Sequence, residues 1–226
     1  YAVRSDTCDG GMHIVDLSDP ASPVGAGCFS AQGPTHDAQC VNYSGPAEEF
    51  QGRELCFALN EASIAISDLT DKSAPVTLSD LVYDGLGYTH QGWLTEDQAY
   101  LLVDDEFDEF DQGHNTRTRV FDVSDPTDPT FVGFYEASTA AVDHNLYIVG
   151  VIVYQANYRA GLRILQIDEP GNASLSEVGF FDTVPADDLA DFSGAFTAYP
   201  FFESGIVIMS SMEEGLFVLR PQLPNG

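Results

Sequence analysis

The chain of 226 residues is strongly acidic: it has 36 aspartates and glutamates, 8 lysines and arginines, and a net charge of −28. Such a charge argues against nucleic acid and anionic membranes as partners, and no apolar run approaches the roughly 18 residues that a membrane-spanning helix needs. The hydrophobic fraction of 44% is typical of folded proteins and excludes a disordered chain. We therefore expect one domain over residues 1–226 with a sizeable core.

A sequence motif, called the recurring phrase below, is repeated along the chain, and its first copy reads "MHIVDLSDPASPVGAGCF". Its copies cover residues 12–29, 63–83 and 118–135, with a degenerate copy at 162–181 and a half copy at 215–221. Each full copy has a β-branched run, an Asp-x-Ser/Thr-Asp turn signal and a second short run, which together predict a β-hairpin. Asp16, Asp68 and Asp122 hold equivalent positions, 52 and 54 residues apart.

The four cysteines all lie in the first quarter of the chain. Their even number predicts disulfides and an oxidising compartment, and their spacing fits no zinc-finger pattern. Cys40 and Cys56 lie on the two strands of one predicted hairpin, where partners face each other. Cys8 precedes the first strand and Cys28 lies on the next one. We predict the pairs Cys8–Cys28 and Cys40–Cys56.

A second predicted hairpin separates consecutive copies of the phrase, which gives four antiparallel strands in about 54 residues. Four-stranded units repeated at a fixed period predict an all-β fold, a β-propeller. A long β-sandwich is the alternative, but it does not require a fixed period. The predicted units are a partial blade at 1–29, blades at 34–83, 88–136 and 142–182, and an incomplete last blade at 193–220.

Three histidines recur in the same register, because His36, His90 and His144 are separated by 54 residues each time. They begin the innermost strand of their units, so we expect them to converge at one end of the channel, with neighbouring imidazoles within about 10 Å of each other. Imidazole favours transition metals, and the adjoining Asp37 and Asp143 would add negative charge. The alternative is structural: each histidine bonds a backbone group of the adjacent blade.

The acidic run "DDEFDEF" follows a predicted strand and is therefore expected on a loop. Asp104, Asp105, Glu106 and Asp108 offer the hard oxygen ligands that Ca²⁺ prefers. The order of an EF-hand is absent, and the alternative is a solvated charged loop.

Four of the eight basic residues occur as two pairs, Arg117 with Arg119 and Arg159 with Arg163. In so acidic a chain we expect them to pair with carboxylates between blades, with an anion clamp as the alternative. No G-x-S-x-G elbow is present, so the sequence assigns no catalytic residue.

Several long motifs resemble one family, the choice-of-anchor B proteins with LVIVD repeats. They are "CDGGMHIVDLSDPASPV", "THDAQC", "YTHQGWLTEDQ", "LLVDDEFDE", "DHNLY", "ANYRAGLRIL" and "GLFVLRP". The resemblance implies a secreted or surface-anchored prokaryotic β-propeller, of which this chain would be the C-terminal part of a ring of about seven blades. In the last blade Phe196 and Tyr199 replace the histidine motif, which leaves a histidine ring open on that side.

Two functions follow as hypotheses. The first is an extracytoplasmic binding or scaffold module with disulfides and Ca²⁺, whose partner is a protein or a glycan. It would need upstream blades, another chain or a second copy to close its ring. The alternative is a metal-dependent enzyme that uses His36, His90 and His144 in the channel, where stoichiometric transition metal would distinguish it from the scaffold.

Overall fold

A computed structural model describes residues 1–223, so the end of the predicted domain at 226 lies outside the described residues. These residues form strands with one short α-helix, α1 (Asp108–Gln112), and 3₁₀ turns at Cys8–Gly10, Glu48–Phe50 and Pro170–Asn172. The strands are β1 (Met12–Asp16), β2 (Val24–Phe29), β3 (Asp37–Asn42), β4 (Glu54–Leu59), β5 (Ile64–Asp68), β6 (Val76–Leu81), β7 (Thr89–Leu94), β8 (Tyr100–Asp105), β9 (Arg117–Asp122), β10 (Thr130–Glu136), β11 (Asn145–Val149), β12 (Ile152–Ala156), β13 (Leu162–Glu169), β14 (Ser174–Phe181), β15 (Ala195–Tyr199), β16 (Val207–Ser211) and β17 (Gly215–Leu219).

The strands form five antiparallel sheets in chain order. Three have four strands, β3–β6, β7–β10 and β11–β14, while β1–β2 form a two-stranded sheet and β15–β17 a three-stranded one. The first strands of neighbouring sheets contact one another, β3 with β7, β7 with β11 and β11 with β15, so they are the innermost strands. This arrangement confirms the predicted all-β propeller of four-stranded blades and fits a partial ring.

The recurring phrase forms the hairpin of β1–β2, β5–β6 and β9–β10. At its turn, Oδ1 of Asp16, Asp68 or Asp122 accepts a hydrogen bond from the backbone N–H two residues later, at 2.8, 2.9 and 2.9 Å. This local bond holds the chain in a turn without any partner from another strand. The predicted turn chemistry is confirmed.

The core lies between the sheets. Phe57 of the second sheet packs with Leu101 and Phe121 of the third, and all three are fully buried. Similar apolar clusters join each remaining pair of neighbouring sheets. Burying one such side chain stabilises by about 1.5–3 kcal/mol, so the blades hold each other in place through their faces.

Both predicted disulfides are confirmed. Cys8 pairs with Cys28, with Cα atoms 5.4 Å apart. Cys40 and Cys56 face each other directly across β3 and β4, with Cα atoms 4.0 Å apart. None of the helices in residues 1–223 has the length and apolarity needed to cross a membrane.

The expectation that arginines pair with carboxylates between blades is wrong for Arg117 and Arg119. Arg117 pairs with Glu136 across β9 and β10 of one sheet, at 2.8 Å. Arg163 pairs with Glu177 across β13 and β14, at 3.5 Å, and with Asp188 on the segment after β14, at 3.8 Å. Arg119 pairs with Asp108 of the same unit, and Arg159 with Asp187 on the segment after β14, at 2.7 Å. Cross-strand neighbours are simply nearer than the next blade.

Candidate metal centre

The structure brings the three repeated histidines together at the beginning of the inner strands. The ring centroids of His36 and His90 are 4.2 Å apart, and those of His90 and His144 are 4.3 Å apart. The spacing agrees with the expectation that neighbouring imidazoles lie within about 10 Å of each other. The rings lie in a row and are tilted by 47° and 36° to one another.

A β-bulge sets the direction of His90. Thr89 pairs with Asp105 and Gln91 pairs with Asp104, so His90 is the extra residue between two ladder positions. A bulge bends the strand and re-aims the side chain that it carries. Phe196, the counterpart in the last sheet, also lies where the register of β15 and β16 shifts.

The Nδ1 atoms of two histidines bond the backbone of the next blade. Nδ1 of His90 lies 2.7 Å from the carbonyl oxygen of His144, and Nδ1 of His144 lies 2.5 Å from that of Phe196. A carbonyl oxygen only accepts hydrogen bonds, so both Nδ1 atoms carry the proton. The Asn145 side-chain amide lies 2.8 Å from Nδ1 of His144 and also donates to the Phe196 carbonyl. In the neutral rings, Nε2 therefore presents its lone pair.

Both Nε2 atoms face one carboxylate. Nε2 of His90 lies 3.6 Å from Oε2 of Glu106, and Nε2 of His144 lies 3.6 Å from Oε1. Tyr158 donates its hydroxyl to Oε1 at 2.7 Å and orients the carboxylate. Three potential ligand atoms therefore lie within 4.8 Å of one another. Ligands at about 2.0–2.2 Å from a shared divalent ion need only a small inward movement.

Burial keeps the two imidazoles neutral. It lowers the pKa of His90 to about 2, helped by the charges that His144 and His36 would carry. It lowers the pKa of His144 to about 4, although the bond to the Phe196 carbonyl opposes the shift. Burial raises the pKa of Glu106, against the Tyr158 hydrogen bond. Near neutral pH the histidines are thus in the metal-binding form and not ion-paired with Glu106.

His36 does not join this group, which differs from the three-histidine set predicted from the sequence. Its Nδ1 lies 2.6 Å from Nη1 of Arg4 and 2.9 Å from the hydroxyl of Tyr88. Arginine only donates, so Nδ1 of His36 accepts and the neutral ring carries its proton on Nε2. This is the opposite tautomer from that of the other two rings.

Neither neighbouring aspartate belongs to the candidate ligand group described above. Asp37 accepts from the backbone N–H of Ala38 at 2.7 Å. Asp143 is fully buried, and its carboxylate lies in the field of Glu109, Asp104 and Asp108. The prediction that Asp143 adds charge to the channel mouth is wrong.

The acidic run is not a loop, and it is not solvated. Asp104 and Asp105 end β8, Asp108 begins α1, and all three are fully buried. Asp105 accepts from the Tyr83 hydroxyl at 2.7 Å and from the backbone N–H of Tyr88 at 2.5 Å. These donors replace its hydration, so we assign Asp105 a structural role.

An acidic cluster lies beside it and consists of Asp104, Asp108, Glu109 and Asp143. Burial raises the pKa of all four carboxyls. The guanidinium of Arg119, itself buried, pairs with Asp108. Among the described residues neither oxygen of Asp143 accepts from an N–H or hydroxyl donor, but its carboxyl lies within hydrogen-bonding reach of the Asp104 carboxyl. Asp108 and Glu109 also form a possible ligand group with His114. Glu109 belongs to the acidic run but was not among its predicted oxygen ligands, and His114 was not predicted.

The LVIVD repeat family matches the chain at residues 7–30 and 119–137, which are two of the hairpins of the recurring phrase. No curated protein matches the chain.

Three solved structures show the fold of this chain. A Lactobacillus plantarum protein is 16% identical with a TM-score of 0.66, and the alignment covers 97% of this chain and 66% of that protein. The periplasmic gluconolactonase of Pseudomonas aeruginosa is 15% identical with a TM-score of 0.56, and the alignment covers 74% of this chain and 50% of that enzyme. A β-propeller domain from Myceliophteria thermophila is 13% identical with a TM-score of 0.54, and the alignment covers 93% of this chain and 64% of that domain. The chain thus spans between half and two thirds of these structures.

Proposed function

We propose that this chain, a β-propeller that carries LVIVD repeats, is an extracytoplasmic binding or scaffold module. Its inner strands would hold one divalent transition metal ion on His90, Glu106 and His144. One observation supports this most directly: two Nε2 lone pairs lie 3.6 Å from the two oxygens of one carboxylate. Both Nδ1–H groups donate to backbone carbonyls, as they do in metal-ligating histidines.

The burial of the site supports a resident ion more than a reacting substrate. The side chains of His90, Glu106 and His144 are 5%, 11% and 4% exposed. An ion bound there would fix two neighbouring blades with respect to each other, because His90 and Glu106 belong to the blade of β7–β10 and His144 immediately precedes β11 of the next sheet. The two disulfides support an extracytoplasmic location. Further blades or another chain would complete the ring.

The alternative function is a metal-dependent hydrolase. Two similar structures have lactonase names, the Pseudomonas aeruginosa enzyme and a putative 6-phosphogluconolactonase from Bacteroides fragilis, but at 15% and 16% identity they show the fold alone. An ion with three protein ligands keeps a position for a water molecule. This alternative predicts metal-dependent lactone hydrolysis that is lost in His90→Gln.

Calcium is proposed separately, as a structural ion in the acidic cluster. Asp104, Asp108, Glu109 and Asp143 are buried carboxyls that share the cation of Arg119. A hard divalent cation would use the oxygens of Asp143, which accept from no N–H or hydroxyl donor of the described residues, and neutralise this charge. Calcium would then stabilise the chain without affecting the histidine site.

The test compares three histidine variants of the full chain. Metal content by mass spectrometry and melting temperature are measured with Zn²⁺, Mn²⁺ and Ca²⁺ in turn. We expect one transition-metal equivalent and a rise in Tm of about 5–10 °C at a hundredfold excess over Kd. His90→Gln and His144→Gln should lose both effects, while the control His36→Gln keeps them.

Two outcomes contradict the proposal. In one, the unaltered chain binds no transition metal. In the other, His36→Gln loses the metal as completely as His90→Gln does. The metal would then be held by the row of three histidines and not by the group that includes Glu106. Lactone hydrolysis that depends on the bound metal would favour the alternative enzyme. Calcium stabilisation that is retained in Glu109→Gln would contradict the calcium proposal.

A further inference from the structure

The inner strands carry a second feature at their other end. His90 lies near the start of β7, whereas Trp93 and Leu94 end that strand. A pocket of about 280 Å³ opens there, lined by residues of four successive sheets or the segments beside them. It is separate from the histidines, because none of its lining residues belongs to the metal centre.

One wall of this pocket is aromatic. The ring of Trp93 lies 5.1 Å from that of Tyr147 and 5.7 Å from that of Phe201, and Tyr199 lies 5.3 Å from Phe201. Tyr199 and Phe201 remain 47% and 39% exposed. The rings of Trp93 and Phe201 line the pocket, are tilted by 37° to each other and form an aromatic platform. Tyr147 and Tyr199 support this platform edge to face and are not part of the pocket lining. The C–H faces of a sugar ring stack on such platforms.

Two side-chain amides supply donors beside the platform. Oε1 of Gln39 accepts from the backbone N–H of Leu94 at 2.8 Å, and Oε1 of Gln98 accepts from that of Ser44 at 2.8 Å. These bonds fix which end of each amide is the NH₂ group. Within residues 1–223, neither NH₂ group has a hydrogen-bond acceptor from the protein, and both residues line the pocket. They are suited to hydroxyl and ring oxygens.

The pocket continues into a second one of about 460 Å³, with which it shares Thr95, Glu96 and Gly150. The two adjoining pockets are called the groove. Glu96, Asp97 and Asp168 line it, in a chain with a net charge of −28. This charge repels uronates and sulfated sugars and leaves neutral sugars as the matching class.

We infer that this groove binds a neutral oligosaccharide, with one ring stacked on the platform of Trp93 and Phe201 and its oxygens bonded by the amides of Gln39 and Gln98. The inference rests on the proposed binding role and names its ligand class. It does not depend on the metal, because the two sites share no residue.

Trp93 makes the test direct, since it is the single tryptophan of the chain. The full chain is titrated with maltotriose, cellotriose, mannotriose and chitotriose, and in parallel with trigalacturonate. We expect saturable quenching or a blue shift of the tryptophan emission with at least one neutral trisaccharide and none with trigalacturonate. Calorimetry on the same sugar gives the affinity.

Two variants test the two parts of the site. Gln98→Glu keeps the oxygen that accepts from Ser44 but removes the NH₂ donor, and Phe201→Ala removes one ring of the platform. Each should weaken binding by about tenfold, which is the loss of about 1.4 kcal/mol. Phe180→Ala, which removes a ring 63% exposed elsewhere, is the matched control and should bind normally.

Absence of a response to all four neutral trisaccharides overturns the inference, and so does equal binding of trigalacturonate. Equal weakening by Phe180→Ala and Phe201→Ala also overturns it, because the effect would then come from the fold. His90→Gln separates this result from the metal proposal: it should lose metal and retain the sugar. Loss of sugar binding in Phe201→Ala with metal content unchanged completes the separation.

Discussion

His90 and His144 are 54 residues apart in the chain, yet Nδ1 of the first donates to the backbone carbonyl of the second at 2.7 Å. The next contact repeats the pattern, from His144 to the carbonyl of Phe196. Each bond joins a residue to its counterpart in the following blade. The same bonds orient the Nε2 atoms toward Glu106, so the side chain that joins two blades is also the one that offers a candidate metal ligand.

Replacement of His90 by alanine should destabilise the chain even without metal. The His144 carbonyl would lose its donor in a buried position, at a cost of about 1–3 kcal/mol. Urea unfolding in the presence of a chelator measures this change. His36→Ala is the comparison, because its Nδ1 bonds an exposed arginine, and it should cost less. Equal costs would show that ring stacking, and not the carbonyl bond, stabilises the row.

Removal of the buried cation should be more damaging. Arg119→Met leaves Asp108 and its neighbours without a counter-charge, and breaking a buried pair in this way costs about 3–5 kcal/mol. Adding Asp108→Asn to the same chain should recover part of the loss, since it removes the uncompensated charge. Chemical unfolding of the single and double variants checks the coupling. Additive losses would contradict it.

The Arg53–Asp68 pair, with a 2.9 Å contact, should contribute to acid sensitivity. Burial raises the pKa of Asp68, but hydrogen bonds from Thr70 and Arg53 outweigh it and hold that pKa below its ordinary value of 3.8. The stabilisation is therefore present above pH 3.8 and is lost as the pH falls through the lowered value.

Asp68→Asn should flatten the acid limb of the stability curve, measured as Tm between pH 2 and pH 7. Asp122→Asn is the matched control, because Asp122 holds the same turn but its side chain bonds Ser124 and no arginine in the described residues. If both changes flatten the pH dependence of Tm equally, the acid sensitivity comes from the hydrogen bonds of the turn and not from the ion pair with Arg53.

Loss of the second disulfide should lower stability substantially. Cys40 and Cys56 close a loop with a sequence separation of 16 residues, for which the chain-entropy estimate is about 3 kcal/mol. The double change Cys40→Ala and Cys56→Ala should show this loss in calorimetry. Cys8→Ala with Cys28→Ala, at a separation of 20 residues, should lose a similar amount. The difference in stability between the unaltered chain and the variant should disappear when both are measured under reducing conditions, and this would confirm the cross-link as its cause.

The repeated features were accessible from the sequence because they depend on local chemistry. The turns at Asp16, Asp68 and Asp122 use bonds within two residues, so the phrase alone predicts them. His90 and His144 are separated by the length of one repeating unit, so the sequence predicts that they hold the same position in neighbouring blades. The pairing of Cys40 with Cys56 follows from the same hairpin register.

The composition of the metal centre was not accessible, because it depends on direction and on long-range contacts. Glu106 was expected beside Asp104 and Asp105 as an oxygen ligand, but it follows β8 and faces the imidazoles instead. Asp143 adjoins His144 in the chain, but its carboxyl lies beside those of Glu109 and Asp104 in the acidic cluster. Arg4 reaches His36 from 32 residues away, and no periodic signal marks that contact.

The bonds between counterparts have an evolutionary consequence. Each donor satisfies the carbonyl at its own position one unit further on, so donor and acceptor are inherited together when a unit of about 54 residues is duplicated. The new copy would find its partner already in place, with no compensating change. In the last sheet of the described residues a phenylalanine, Phe196, stands at the position of His90 and His144. Its carbonyl accepts the bond from His144, and its ring lies 4.4 Å from the ring of His144.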